Sequence, residues 1–425
     1  LASPADAPAV AEPAFLIDRR RRGEELVATL DLPRFRREPG WEFTSLKGLD
    51  LDAYAPVAGG DLTLAQETPL VVRPPDESVA LTQVDGAFAL SREITSEGGA
   101  LVMSLSAAVE SHPELVEPHL GSVVDAEDPF VARNEANWLG GAFVYVPRDV
   151  KVETPISLRA IQAAAGGAMH WRVLVVLEEG AEAEVWDQYV TAEGDGDGQL
   201  FSAVTELVVG QSARLRYVSA QGLAEKAWIF AKQRATVDRD GTLDWVVLGF
   251  GAGNGRVAQE TDLRGRGAHG KVTGAYATRG RQHLDFATTQ EHASPDTTSD
   301  LAFRGILDGR SSTVWSGMIK VEEDAQRIDA FQESRNLLLT KRAHADAIPG
   351  LEILANDVRC THAAAIAQID PEQVFYLRSR GLREPEAKRL VIEGFLHAVV
   401  ERFEEGDFRD ALAAALDHRL EQILG

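Results

Sequence analysis

Cysteine is almost missing from this chain of 425 residues, where Cys360 is the only one. A lone thiol excludes an intrachain disulfide framework and any all-thiolate metal site within one chain, and it fits a reducing compartment such as the cytoplasm. Positive charge is also scarce. The 43 Lys plus Arg stand against 66 Asp plus Glu, and the net charge of −23 opposes non-specific binding to nucleic acid and to anionic membrane surfaces. Long hydrophobic runs are absent too. RVLVVLEEG and LDWVVLGFG are broken by charge or glycine well short of the ~18 uncharged apolar residues of a membrane span. The opening segment LASPADAPAVAEPAFLIDRRRRGEEL places its Arg19 to Arg22 run after its apolar residues, so no secretory signal is expected. There is no Walker A loop and no GxSxG elbow, and His112, His170, His269, His283 and His292 lack metal-ligand spacing.

What is present divides the chain by pattern. Residues 1–12, rich in Ala and Pro, read as a disordered tail. Residues 13–136 read as a mixed helical region. Leu16, Leu26, Val27 and Leu30 recur at helical spacing between Ala14 and Leu32, and a further amphipathic helix is expected between Ala100 and His119. Residues 137–369 read as almost entirely strand. Here EEGAEAEVW near Gly180, VVGQSARLRYV near Gly210, DRDGTLDWVVL near Gly241, GRGAHGKVTGAY near Gly267, LDGRSSTVWSG near Gly309 and EEDAQRIDAF near Asp324 share one form. Each is a Gly or Asp turn followed by period-two alternation, without a strict consensus. So many short strands with little helical pattern predict a mainly β fold whose core is a β-helix or similar solenoid.

Residues 370–425 change character again, to a helical domain. Asp370-Pro371-Glu372 supplies an N-cap and a first-turn proline, and Gly381 ends the helix. Pro385 opens a second helix with an apolar stripe from Ala387 to Phe403, and a third runs from about Phe408 to Leu424. Such a helical cap on a solenoid can offer a docking face to a partner.

Three motifs bear on chemistry. GFGAGNG at Gly249 to Gly255 lacks dinucleotide-binding spacing and is followed by strand pattern rather than a helix, so it reads as a solenoid turn. Asp238 and Asp240 could be the paired acids of a β-helix carbohydrate enzyme, but they flank Arg239 in a turn, where solvated carboxylates are ordinary. In DVRCTHAAAIAQ, strand alternation sends Val358, Cys360 and His362 to one face, bringing a thiol beside an imidazole. That pair can ligate iron or zinc but is too small to hold a metal centre alone; the plainer reading is a buried Cys acting as a small hydrophobe.

The stretch DVRCTHAAAIAQIDPEQVFYLRSRGLREPEAKRLVIEGF resembles the C-terminal signature of the SufB/SufD family, scaffold subunits of the SUF machinery for iron–sulfur cluster assembly. GWEFTSLKGLDLDAY, NWLGGAFVYVPRDVKVETPISL and SPDTTSDLAFRGILDGRSSTVWSGMIKV are similar to other parts of that family, from Trp41 to about Phe395. Ser334 in QESRNLLLT stands where the SufB branch carries a Cys, and Cys360-Thr361-His362 stands where that branch has an acidic-His-acidic triplet. The chain therefore looks like the SufD branch. The resemblance implies a right-handed parallel β-helix core with N-terminal and C-terminal α-helical parts, and a non-catalytic scaffold. It implies a heterodimer with a SufB-type paralogue, with a SufC-type ATPase docked on the helical end. It further implies a transient iron–sulfur cluster shared with SufB, with His362 as candidate ligand and Cys360 as a second contributor. A flavin in the full complex and a homodimer of the isolated chain are left open. The readings from other classes are a β-helix carbohydrate-active enzyme and a β-solenoid interaction protein without metal chemistry.

Overall fold

The computed structural model describes residues 12–75, 78–90, 98–192 and 198–424; most of the tail expected as disordered lies outside them. Turn chemistry sets the period of the core. Left-handed backbone recurs at Asp149, Gly180, Ser212, Asp240, Gly267, Asp296 and Arg327, one residue per rung along one corner. Asp tolerates this conformation better than most side-chain-bearing residues, and glycine adopts it freely. At Gly267 a Cβ would come within 2.4 Å of the Asp240 carboxylate in the rung below, so the close stacking of turns needs glycine there. The sequence pattern found Gly180 and Gly267 directly; at three other rungs the left-handed residue, Asp240, Ser212 or Arg327, lies about one to three residues from the expected one.

Between corners the chain runs straight for about ten residues on each side, giving two facing parallel sheets. In chain order the first comprises Ala142–Val146, Gly167–Leu177, Leu200–Val209, Trp228–Val237, Asn254–Leu263, His283–His292, Ser312–Val321 and His344–Ile353. The second comprises Ile156–Gln162, Glu182–Thr191, Arg214–Gly222, Thr242–Gly249, His269–Thr278, Thr298–Leu307, Ile328–Leu338 and Val358–Gln368. The fold is thus mainly β, a parallel β-solenoid with helices toward the termini. Each strand pairs in register with the next but one, so like positions form columns, such as Tyr217, Trp245, Val272, Leu301, Gln332 and His362.

Inward columns hold the core, including fully buried Trp171, Tyr217, Trp245, Tyr276, Phe286 and Trp315. Bare backbone at Gly274 makes room for the Phe303 ring, which a Cβ would meet at 2.2 Å. One acid sits among them. Asp187 accepts hydrogen bonds from Trp171 Nε1, Tyr189 Oη and Tyr217 Oη at 3.0, 2.7 and 2.6 Å, and burial pushes its carboxyl up to about 6.

The N-terminal region, whose sequence after residue 56 turns into short alternating segments, contributes strands as well as helices. Val79–Val84 extends the second sheet and Ala87–Leu90 turns back antiparallel on it, while Leu101–Met103 lies antiparallel on Ala142–Val146. The helix expected between Ala100 and His119 is two: Ser104 caps Leu105–Ser111, and Pro113 opens Pro113–Val116. Helices Ala14–Thr29 and Pro129–Asn137 pack on each other. Beneath them a buried ion cluster joins helix to sheet, with Arg172 donating to Glu135 at 2.6 Å and Glu206 at 2.7 Å. The GWEFTSLKGLDLDAY segment crosses the outer face of the first sheet. Trp41 packs with Phe130 and Phe230, and Thr44 donates to Asp285 at 2.7 Å.

The C-terminal helices Pro371–Ser379, Glu384–Val400 and Asp407–Leu424 match the expected positions closely. The last two lie along the flank rather than over the end of the solenoid. Ile392, Leu396, Val399, Leu412, Leu416 and Leu420 cover Trp186, Val218, Val246, Leu248 and Ile306 on the outer face of the second sheet. Among the described residues nothing covers the inward face of the last rung.

Candidate functional site

The final rung consists of His344–Ile353 and Val358–Gln368. Among the described residues each pairs with one neighbouring strand only, Ser312–Val321 and Ile328–Leu338 respectively. The core columns run out to this edge and end there. Ile319, Val321 and Asn336 are buried one rung below Leu351, Ile353 and Ile366, whose exposures are 38%, 37% and 45%. Ile348 and Leu354 add further exposed apolar surface.

Cys360 and His362 lie in two of these inward columns. Register pairs Cys360 with Ala330 and His362 with Gln332, both fully buried, so the two side chains and Val358 share the inward face, as strand alternation required. Cys360 is half-buried and packs with Val358 against the cluster of Ile319, Val321, Ala325, Ile328 and Ala330. Burial, and then the charge of Asp329, push its thiol above the ordinary range. At neutral pH it is a protonated thiol, and metal ligation would have to displace the proton. His362 is exposed at the mouth. Below it, Gln332 donates through Nε2 to the carbonyls of Gly317 and Gly350 at 3.4 and 3.0 Å. This side chain ties the second sheet to the first and firms the floor beneath His362.

Among the described residues no three His, Cys, Asp or Glu side chains are gathered as a metal site. Cys360 and His362 alone are too few donors to hold a metal centre. Ser334 faces inward and is fully buried, accepting from Asn336 Nδ2 at 3.3 Å. A second imidazole at the same rung escaped the sequence reading: His344 Nε2 lies 3.1 Å from Asp346 Oδ2 on the neighbouring edge strand. The spacing His-Ala-Asp in a strand was the signal, since it puts both polar groups on one face.

The other sequence candidates are turns. Asp238 and Asp240 are exposed at a corner, Asp240 holding Arg239 at 3.2 Å, and GFGAGNG makes the corner between Thr242–Gly249 and Asn254–Leu263. Below the final rung, His292 is held as a structural residue. His292 is buried between Thr297 and Ser299, and desolvation pulls it down to about 4. Away from the rung, helix Pro371–Ser379 presents Phe375 and Tyr376 at 71% and 55% exposure. Among the described residues no helix is long and apolar enough to cross a membrane.

Residues 160–395 match the family model described as SUF system FeS cluster assembly, SufBD core domain, and residues 77–158 match the SufBD protein N-terminal region. The iron–sulfur cluster assembly protein SufD of Bacillus subtilis is 29% identical over 417 residues, which are 96% of this chain and 95% of that protein. An iron–sulfur cluster assembly SufBD family protein of Mycobacterium tuberculosis is 31% identical over 313 residues, 72% of this chain and 77% of that one. With its solenoid, its bare final rung and these matches over nearly its whole length, the chain belongs to the SufBD family of iron–sulfur cluster assembly proteins and is a SufD homologue.

Proposed function

We propose that this chain is a non-catalytic scaffold subunit of a cytoplasmic SUF assembly, joined through its bare final rung to a SufB-type paralogue. The observation that carries the reading is an apolar solenoid mouth with unpaired strand edges and an exposed His362. Unpaired edges tend to recruit another strand, and a second solenoid end would satisfy their backbone groups while covering Leu351, Ile353 and Ile366. The nascent iron–sulfur cluster is the cargo of this interface. His362 supplies one ligand, Cys360 contributes once its proton is lost, and the paralogue completes the set.

The C-terminal helices are the docking platform for a SufC-type ATPase, with Phe375 and Tyr376 as apolar anchors on the first of them. Large exposed aromatics suit such a role because they bury much area at low entropic cost. ATP-driven movement of the docked ATPases would shift the solenoid–solenoid contact between closed and open states. Co-expression with SufB-type and SufC-type partners, followed by affinity purification through this chain, tests the reading. Ile366→Asp with Leu351→Asp is expected to release the paralogue and keep the ATPase, and Phe375→Ala with Tyr376→Ala to do the reverse. Retention of both partners by both variants would contradict the assignment of these surfaces.

A further inference from the structure

Two arginines are buried among the described residues, and they are treated differently. Arg172 is clasped by two carboxylates. Arg419, in the last helix Asp407–Leu424, is 7% exposed and its hydrogen bonds go to neutral groups. Its Nε and Nη2 donate to the Ala277 carbonyl at 3.2 and 2.8 Å, and its Nη1 donates to Gln422 Oε1 at 3.0 Å. Each nitrogen uses one N–H, which leaves a second on Nη1 and on Nη2. A buried cation with no carboxylate in hydrogen-bond contact is costly, and the nearby charge of Glu225 offsets that cost only in part. Burial, and then the charge of Arg279, pull the Arg419 guanidinium down to about 10.

Arg419 lines a cavity of about 410 Å³ between this helix and the solenoid corners, with Leu70, Gly222, Glu225, Phe250 and Arg279. Among the described residues Glu225 is the cavity's only carboxylate, and its partner is Arg279. Arg279 also takes the Gln422 carbonyl near the helix end, so the negative pole of the helix is already engaged. The lining therefore has an excess of guanidinium over carboxylate in a chain whose overall charge is strongly negative.

We propose that this cavity binds a small phosphate-class oxyanion, held by Arg419 and Arg279. Guanidinium groups suit such a ligand because their planar N–H pairs match two oxygens at once. Free phosphate and the phosphate end of a nucleotide share this chemistry, and the test separates them. The thermal unfolding midpoint of the full chain is measured with inorganic phosphate, with ATP without metal, and with sodium chloride at matched ionic strength.

A ligand that binds the folded state raises the midpoint with the logarithm of its concentration. Phosphate is expected to raise it beyond chloride, and the increment to fall severalfold in both Arg419→Met and Arg279→Gln. Arg419→Met keeps an apolar stem and removes the buried charge, so it is expected to fold; Arg279→Gln is a second, more exposed probe. Stabilisation by phosphate but not ATP identifies the free anion, and stabilisation by both identifies a site open to a nucleotide's phosphate. A phosphate effect no larger than that of chloride, or one unchanged in both variants, overturns the proposal.

Discussion

The two ends of the solenoid are finished in opposite ways. At the N-terminal end, antiparallel strands Ala87–Leu90 and Leu101–Met103 close the sheets, and Leu105, Trp138 and Phe143 are fully buried beneath helices. At the C-terminal end the core columns stop in mid-air with Leu351, Ile353 and Ile366. The helices that could have covered them lie on the flank of the second sheet. A parallel solenoid has an edge problem at each end. This chain closes one end internally and, among the described residues, leaves the other uncovered, and the bare end carries Cys360 and His362.

The largest expected effects lie on the closed side. Trp171→Ala is expected to cost about 3–5 kcal/mol because it removes a fully buried ring and a donor to Asp187. Glu206→Gln breaks the buried ion cluster and weakens acceptance from the Gly121, Val123 and Val124 amides; it is expected to cost about 3–5 kcal/mol. Denaturant unfolding of the isolated chain measures both. In the same assay Ile366→Asp is expected to stay within about 0.5 kcal/mol of the parent, yet to weaken association with the paralogue at least about tenfold. Equal stability losses at the two ends would erase the distinction.

A smaller effect comes from pH. Burial favours the protonated acid at Asp187 in the folded chain, with its carboxyl near 6 rather than the ordinary 3.8. The folded state therefore binds the extra proton within that window, and stability falls as pH rises from about 4 to about 6. Asp187→Asn is expected to flatten this slope in unfolding titrations; an unchanged slope would assign it to other groups. Smallest of all is the effect of Cys360→Ala on cluster content, expected to be milder than that of His362→Ala. The thiol starts protonated and half-buried, while the imidazole is exposed at the mouth. An equal or reversed order would exchange their roles.

Local chemistry made part of this legible in the sequence. Asp370, Pro371 and Gly381 bound the first C-terminal helix because caps act within a few residues. The period-two alternation gave the shared face of Cys360 and His362 for the same reason. Long-range pairing left no such mark. Nothing local in Val79–Val84 announces that it joins a sheet beside Ile156–Gln162, and the stripe of Glu384–Val400 states that it packs without stating on what. The bare end was equally hidden, since an exposed Ile366 and a buried Ile319 read alike in sequence.

The proposed role of the open end is to be the place where the cluster is built. Its most direct test is anaerobic iron and sulfide analysis of the complex purified with SufB-type and SufC-type partners, comparing the parent chain with His362→Ala. An intact assembly with clearly reduced iron and sulfide is expected for the variant. An intact assembly with unchanged iron and sulfide would remove His362 from the site and contradict that role.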